Sequence, residues 1–350
     1  MFKFIFISLT LLMIAACPAA VFASIDPSLQ AVFDTRTDLQ SAFNETDYKA
    51  IPGSAAGFLI DLEDWAKQYG WREHPELVAY GPGEMTVPTR FSKACSEPFV
   101  TSEAYVVLDR QTGQILSAKN PTLEWPIASL TKLVTVDVVL DQQVSFSKQQ
   151  SVSWIDDVGG AKLYVTSGDV FSVQDLLYAT LVGSANNAAN ALARSTGLSK
   201  EVFVAEMNSI VQELNLSHTT FVDPTGIEIE NVSTPWEMAR IAQHVFEHRD
   251  VRRYTSTAVR YITDKSQGTT KKMTSTNWML WKPEYDDIYV MSGKTGYLEE
   301  SGWNLVVSLR PELLDEEQEV LIVLFGADSR AESFVDARAL AEWAWENHAW

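Results

Sequence analysis

Cysteine is scarce in this sequence, which contains two in 350 residues. Cys17 lies in an apolar N-terminal segment, so Cys95 would be the only cysteine of a processed chain, and no intrachain disulfide can form there. The sequence has no pair of Cys and His residues that would indicate a thiol protease. We therefore expect Cys95 to be a small, buried, apolar packing residue.

Basic residues are also few, with 27 Lys and Arg against 46 Asp and Glu and a formal net charge of −19. Binding to nucleic acid needs clustered Lys and Arg, so this balance argues against nucleic acid as a partner. The same balance argues against an anionic membrane surface. An acidic surface is typical of soluble proteins outside the cytoplasm.

The sequence lacks an apolar run of comfortable membrane-spanning length. The N-terminus instead has Lys3, a mainly apolar stretch over Phe4–Ala16, and Val21-Phe-Ala23, which ends in a small residue before Ser24. This pattern predicts a signal peptide over residues 1–23 and export to the periplasm or the cell exterior. An alternative is a lipobox at Ile14–Cys17, with a lipid anchor on Cys17. Oligomeric state stays open.

Residues 24–100 carry no constellation of chemically active side chains. Helical patterns at Gln30–Asn44 and Gly57–Tyr69 are separated by turn residues. We expect a mostly helical extension over 24–100, of unassigned role, followed by a second domain over 101–350.

Residues 101–350 alternate between strand and helix patterns. A hairpin is expected from strands at 103–109 and 114–119. Helices are expected over 172–183, 188–195, 198–214, 235–248 and 329–347, and later strands over 287–291, 303–309 and 320–325. Strands that flank a block of helices predict an α/β domain with a helical insert and antiparallel late strands.

The first candidate motif is Ser129-x-x-Lys132, where the chain enters a helix after Pro126. Residues three apart share a helix face, so the amine lies beside the hydroxyl. A lysine whose pKa is lowered can take the serine proton, and the helix N-terminus favours a developing oxyanion. The pattern alone is weak, because Ser145 and Lys148 repeat it in a polar loop.

Two further motifs follow in order. Ser184-Ala-Asn186 falls in a break between two predicted helices, where Ser184 can relay a proton and Asn186 can hold a substrate amide. Lys294-Thr-Gly296 ends a predicted strand, where it offers a cation, a hydroxyl and room for substrate backbone. Ser275-Thr-Asn277 is a second match to the Ser-x-Asn pattern.

The ordered set resembles the penicillin-recognising serine enzymes. More narrowly, residues 101–350 resemble the D-alanyl-D-alanine carboxypeptidase family of low-molecular-mass penicillin-binding proteins. Only one helix is expected after Phe325, which is similar to the shorter, endopeptidase-like branch. The stretches that carry the resemblance are Ala104–Leu116, Trp125–Thr135, Leu181–Ala188, Phe221–Gly226, Val232–Thr234, Gly293–Tyr297 and Gly302–Val306.

This resemblance implies a β-lactamase/transpeptidase-like fold, in which a five-stranded antiparallel sheet packs against helices and the site faces an all-helical subdomain. It implies a serine-type D-Ala-D-Ala carboxypeptidase or endopeptidase that acts on peptidoglycan stem peptides and is inhibited by β-lactams. No cofactor is implied. Motifs do not separate the two activities or identify the third stem-peptide residue.

The resemblance also implies a role for each motif residue. Ser129 would attack the carbonyl of the penultimate D-Ala, Lys132 would take its proton, and Ser184 would pass a proton to the leaving amine. The implied substrate-binding residues are Asn186, Lys294, Thr295, Gly296 and Tyr297. The backbone N–H groups of Ser129 and Tyr297 would form the oxyanion hole.

Three alternatives stay open at this point. A serine β-lactamase would need a Glu between the second and third motifs, where Glu228 and Glu230 lie in a carboxypeptidase-like setting. A zinc protease is suggested by His244-Val-Phe-Glu-His248, but we expect an ordinary helix end and no metal, because His is favoured there by the helix dipole. The third alternative is a non-catalytic cell-wall-binding pseudoenzyme.

Overall fold

A computed structural model describes residues 87–91 and 95–350. The predicted signal peptide and all but a few residues of the predicted extension lie outside these ranges, so the boundary at residue 100 stays a prediction. Within them, the strands are β1 (Thr89–Arg90), β2 (Ala104–Asp109), β3 (Ile115–Lys119), β4 (Trp125–Pro126), β5 (Gln149–Ser151), β6 (Val170–Ser172), β7 (Val232–Ser233), β8 (Val259–Thr263), β9 (Thr270–Thr274), β10 (Tyr289–Leu298), β11 (Gly302–Arg310), β12 (Val320–Ala327) and β13 (His348–Ala349). The helices are α1 (Lys132–Asp141), α2 (Val173–Leu181), α3 (Asn186–Ser195), α4 (Lys200–Glu213), α5 (Pro235–Val245), α6 (Arg249–Thr255) and α7 (Arg330–Asn347).

The central sheet has five antiparallel strands in the order β10-β11-β12-β2-β3. Its middle strands are apolar on both faces, as expected for a sheet covered by helices on both sides. Val106 and Leu108 pack toward α1–α6, and the alternate residues Tyr105 and Val107 pack toward α7. The predicted sheet and its closing helix are confirmed.

Helices α1–α6 lie between β3 and β10 in sequence and form the predicted helical subdomain. Its centre is α1, in which residues 132–139 are all buried. A helix without a polar face is stable only inside a core. The subdomain also carries three short strand pairs, β4–β7, β5–β6 and β8–β9.

Two predicted boundaries were wrong in ways that affect function. The helix expected over 235–248 ends at Val245, and His248 occupies the N-cap position of a separate helix, α6, without a capping side-chain hydrogen bond. The strand expected to end at residue 291 runs to Leu298, because the Lys-Thr-Gly segment stays in register with β11, pairing Lys294 with Val306. The Lys-Thr-Gly motif therefore lies within an edge strand rather than at its end.

The predicted burial of Cys95 was also wrong, since Cys95 is exposed. Its backbone N–H donates to Oδ1 of Asn347 at 2.6 Å, and its carbonyl accepts from the indole of Trp343 at 3.1 Å. The segment is held to α7 through its backbone, which leaves the thiol facing outward. No helix in the described ranges is long and apolar enough to cross a bilayer.

Candidate active site

Ser129 lies in a tight 3₁₀ turn, Ala128–Thr131, that leads directly into α1. The turn is strained at Ala128, whose φ of 51° is left-handed. It rests on Gly226, where an added Cβ would come within 1.9 Å of the Ala128 carbonyl oxygen. The sequence pattern predicts that the helix begins at Ser129, but the α-helix begins at Lys132, and Ser129 lies in the turn that precedes it.

Lys132 is fully buried beside this turn. Its Nζ donates to Ser129 Oγ at 2.7 Å, to Asn186 Oδ1 at 2.7 Å and to the Thr225 carbonyl at 2.5 Å. Burial lowers the pKa of Lys132 to about 7, although the negative charge of Asp223 acts in the opposite direction. At neutral pH a substantial fraction of this amine is therefore unprotonated and able to accept the Ser129 proton.

The carbonyl that Lys132 contacts is presented by a loop folded around Asp223. The buried Asp223 carboxylate accepts hydrogen bonds from the backbone N–H groups of Thr225 at 2.6 Å and Glu228 at 3.1 Å. Burial raises the pKa of Asp223, but these hydrogen bonds and those from its other partners outweigh burial and leave the pKa below its ordinary value. Asp223 is thus a charged anchor for the loop, a role that the sequence reading did not assign.

Ser184 lies between α2 and α3, as predicted, whereas Asn186 is already the first residue of α3, and both side chains are buried. Ser184 has a left-handed φ of 57°, and its Oγ accepts from Lys294 Nζ at 2.8 Å. Asn186 begins α3 and donates from Nδ2 to the Gly159 carbonyl at 2.8 Å, while its Oδ1 accepts from Lys132. Asn186 therefore bridges the amine to the loop over residues 157–168.

Lys294 and Thr295 lie on β10, the edge strand nearest the Ser129 turn. Lys294 is buried, and its pKa is lowered well below the ordinary value by burial and then by the positive charges of Lys132 and Arg330. Thr295 Oγ1 donates to Thr276 Oγ1 at 2.7 Å. The chain of contacts Ser129–Lys132–Asn186 and Lys294–Ser184 brings all three motifs into one cleft.

A comparison with known families agrees with this geometry. The sequence profile of Peptidase S11, described as D-alanyl-D-alanine carboxypeptidase, matches residues 91–329. The chain belongs to this family. Its described helices and five-stranded sheet match the fold that the resemblance implied.

Relatives and solved structures resemble this family member over most of its length. A D-alanyl-D-alanine endopeptidase of Haemophilus influenzae is 31% identical over 214 residues, which is 59% of this chain and 70% of that protein. D-alanyl-D-alanine carboxypeptidase DacF of Bacillus subtilis is 26% identical over 265 residues, 73% of this chain and 65% of that protein. The crystal structure of the Streptomyces K15 DD-transpeptidase shares the fold, with a TM-score of 0.65, 22% identity, and coverage of 72% of this chain and 100% of that one.

The sequence reading missed a second group at the Thr295 end of the cleft of this Peptidase S11 protein. Arg330 Nη2 donates to the Thr276 carbonyl at 2.7 Å, and its guanidinium lies 4.8 Å from the centre of the Trp278 ring. Its Nε is buried and has no hydrogen-bond partner within residues 87–91 and 95–350. No local pattern marks Arg330, although the residue that it contacts, Thr276, lies in Ser275-Thr-Asn277, the second match to the Ser-x-Asn pattern.

Tyr297 follows the Lys-Thr-Gly motif on β10 and is 50% exposed. Its ring lies over that of Trp303, with centroids 4.3 Å apart. The side chain thus covers its own strand pair, and its backbone lies just beyond Gly296 on the edge of the cleft.

All three alternatives lose support in this family member. Glu228 and Glu230 are exposed, whereas a deacylating base of a β-lactamase must face the acyl-enzyme. The two histidines of the zinc-protease pattern do not contact the catalytic lysine. Lys132 contacts Ser129, Asn186 and Thr225 instead. Every motif residue is present, which also disfavours a pseudoenzyme.

Gly296 offers a direct test of how closely the edge strand must approach the nucleophile. An added Cβ would lie 2.8 Å from the Ile127 carbonyl oxygen and 3.3 Å from the Ser129 nitrogen. Gly296→Ala should therefore push β10 away from Ser129 and slow acylation by a fluorescent penicillin by about 100-fold, since a displacement of about 1 Å has that effect.

The matched control is Gly268→Ala, where an added Cβ meets no atom within 4 Å. We expect this control to keep the wild-type acylation rate, with a small loss of stability from its positive φ. Melting temperatures measured alongside separate misfolding from misplacement. A folded Gly296→Ala protein that acylates at the wild-type rate contradicts the prediction.

Proposed function

We propose that this protein is a serine D-Ala-D-Ala peptidase that cleaves peptidoglycan stem peptides through an acyl-enzyme on Ser129. The observation that carries the proposal is the buried Lys132 amine, 2.7 Å from Ser129 Oγ and with a pKa of about 7. A serine becomes a nucleophile when such a base lies within hydrogen-bond reach.

Acylation would proceed in one sequence of bond changes. Lys132 accepts the Ser129 proton while Oγ bonds to the carbonyl carbon of the penultimate D-Ala. The backbone N–H groups of Ser129 and Tyr297 stabilise the oxyanion. The C–N bond then breaks, and the proton that Lys132 took from Ser129 is relayed through the Ser184 hydroxyl to the leaving amine, so that both Lys132 and Ser184 return to their starting protonation states. Water later hydrolyses the ester.

Substrate recognition would rest on the positive end of the cleft. Lys294 and Thr295 would hold the carboxylate on the leaving side, and Arg330 would add a cation next to Thr276. Although burial and the neighbouring positive charges lower the pKa of Lys294, a bound carboxylate would favour its charged form. Gly296 leaves room for substrate backbone along the edge strand, as in β-augmentation. A penicillin carboxylate would use the same groups, which makes β-lactams the expected inhibitors.

We favour cleavage of peptide cross-links over release of terminal D-Ala alone. The support is the similarity to proteins named D-alanyl-D-alanine endopeptidases, at 31% identity in Haemophilus influenzae and 29% in Pseudomonas aeruginosa. Both reactions break a D-Ala carbonyl–amine bond and differ only in the leaving amine.

The experiment offers purified protein two muropeptides, a cross-linked dimer and a pentapeptide monomer, and follows the products by mass spectrometry. We expect the dimer to be converted to monomers faster than D-Ala is released from the pentapeptide. Ser129→Ala serves as the inactive control. A protein that binds penicillin covalently but cleaves neither substrate would overturn the proposal.

Export would place the enzyme beside its substrate. The N-terminal pattern over residues 1–23 supports secretion with cleavage after Ala23, and lipidation at Cys17 is the alternative. Intact mass of the protein recovered from the envelope distinguishes the two, because only the second retains an acylated Cys17.

A further inference from the structure

Three side chains converge on one point away from the serine cleft. Asp137 lies on α1, His244 lies in the last turn of α5, and His248 lies at the N-cap position of α6. His244 Nε2 is hydrogen-bonded to Asp137 Oδ2 at 3.1 Å, whereas His248 Nε2 is 3.0 Å from Asp137 Oδ1 without an aligned hydrogen bond. Each residue offers one potential ligand atom, and these three atoms all lie within 4.8 Å of one another.

The arrangement around Asp137 fits ligands of a shared ion. Oδ1 is fully buried and accepts no well-aligned hydrogen bond in the described part of the chain, although His248 Nε2 is close. Two atoms bound to one zinc ion at about 2.0–2.1 Å are about 3.3 Å apart when the geometry is tetrahedral. In that geometry the lone pairs of both ligand atoms point at the ion and not at each other. This is consistent with a short contact between the two atoms that is not an aligned hydrogen bond.

The chemistry of the donors selects the class of ion. Two imidazoles and one carboxylate suit Zn²⁺ and similar divalent transition ions, whereas Mg²⁺ and Ca²⁺ prefer all-oxygen sites. The carboxylate is buried and the histidine side chains are 40% and 37% exposed. An ion held there is reachable from solvent and can take water as its fourth ligand.

We propose that Asp137, His244 and His248 form a binding site for a divalent transition cation of the Zn²⁺ class. The ion would join α1, whose first residue is Lys132, to the junction of α5 and α6. Its role would be to brace these helices, because catalysis at Ser129 has its own base and needs no metal. The sequence predicted an ordinary helix end here, because the pattern contains only the two histidines and Asp137 lies 107 residues before His244.

The test uses Zn²⁺ as the probe and the full chain without an affinity tag. Calorimetric titration should show one Zn²⁺ per chain, and His244→Gln and His248→Gln should each weaken binding by at least about tenfold. Both histidines are partly exposed, so these variants are expected to fold. His218→Gln is the matched control, because His218 is an exposed histidine 2.7 Å from a single carboxylate, Glu124. It should bind Zn²⁺ like the wild type.

Two further readouts separate a bound metal from a simple His–Asp–His ion pair. Zn²⁺ should raise the melting temperature of the wild type and of His218→Gln but not of His248→Gln. Acylation of Ser129 by penicillin should be unchanged by a chelator at a temperature where the protein stays folded. Absence of stoichiometric binding, binding unaffected by either histidine variant, or chelator-sensitive acylation would each overturn the proposal.

Discussion

Replacing Ser129 by alanine is expected to abolish covalent labelling by a fluorescent penicillin and to lower stem-peptide hydrolysis by on the order of 10⁶-fold. The variant removes the only atom that forms the acyl bond, while the Lys132 amine keeps its contacts to Asn186 and Thr225. Loss of one small hydroxyl should leave the fold intact. Gel fluorescence and intact mass measure the adduct, and chromatography of muropeptides measures hydrolysis.

The chain supplies its own control for this experiment. Ser145 and Lys148 have the same spacing as Ser129 and Lys132. However, the exposed Ser145 hydroxyl forms a hydrogen bond with the Ser147 hydroxyl at 3.0 Å, and Lys148 Nζ donates to the Ser195 carbonyl at 2.6 Å. Ser145→Ala should therefore label like the wild type. A label that persists in Ser129→Ala would contradict the assignment of the nucleophile. A wild-type adduct that clears rapidly would instead favour a β-lactamase.

The parts of the site that the sequence predicted are those encoded locally. Ser129 and Lys132 are three residues apart, and side chains at this spacing lie close together in a 3₁₀ turn as well as in an α-helix, so their contact needs no knowledge of the tertiary fold. The strands β2, β11 and β12 could be predicted because each is a run of apolar residues that favour β-structure and is bounded by turn residues. Joining the three motifs in one cleft was an inference from the resemblance, and the Lys294–Ser184 contact agrees with it.

The parts that the sequence missed depend on long-range packing. Arg330 reaches the cleft because α7 packs beside β11 and β12, and no local pattern marks it. The sequence predicts a substrate-binding role for Asn186, yet its side-chain amide oxygen, at the start of α3, also accepts a hydrogen bond from Lys132. Burial of Lys132, which lowers its pKa, is a property of the assembled core and is absent from the motif itself.

Helix ends were the other source of error, and one of them concealed a cluster. The apolar pattern continues past Val245, so a single helix to His248 was the natural reading, but the chain turns at Phe246 and restarts at Arg249. That turn brings His248 back toward Asp137. Because the helix ends at Val245, three residues earlier than predicted, His248 lies near Asp137 and not at an ordinary helix end.

Lys132→Met is expected to slow acylation of Ser129 by about 10²–10⁴-fold, the usual contribution of a positioned general base. Methionine fills similar space without an amine, so the Ser129 hydroxyl keeps its position but loses its proton acceptor. The change leaves Asn186 Oδ1 and the Thr225 carbonyl without their lysine donor, at a cost of about 1–3 kcal/mol for each group left unsatisfied. Melting temperatures are therefore measured first, and stopped-flow labelling is carried out well below them.

The pH dependence gives the same residue a second, independent signature. Only the unprotonated amine can act as the base, and burial lowers the pKa of Lys132 to about 7. The wild-type acylation rate should therefore rise about tenfold per pH unit well below pH 7 and become level above it. Lys132→Met should lack this rise, whereas Lys148→Met, the control in the exposed loop, should retain it. A wild-type rate that falls between pH 6 and pH 8 would mean that the protonated amine is the active form, and Lys132 would then be an electrostatic partner of the oxyanion instead of the base.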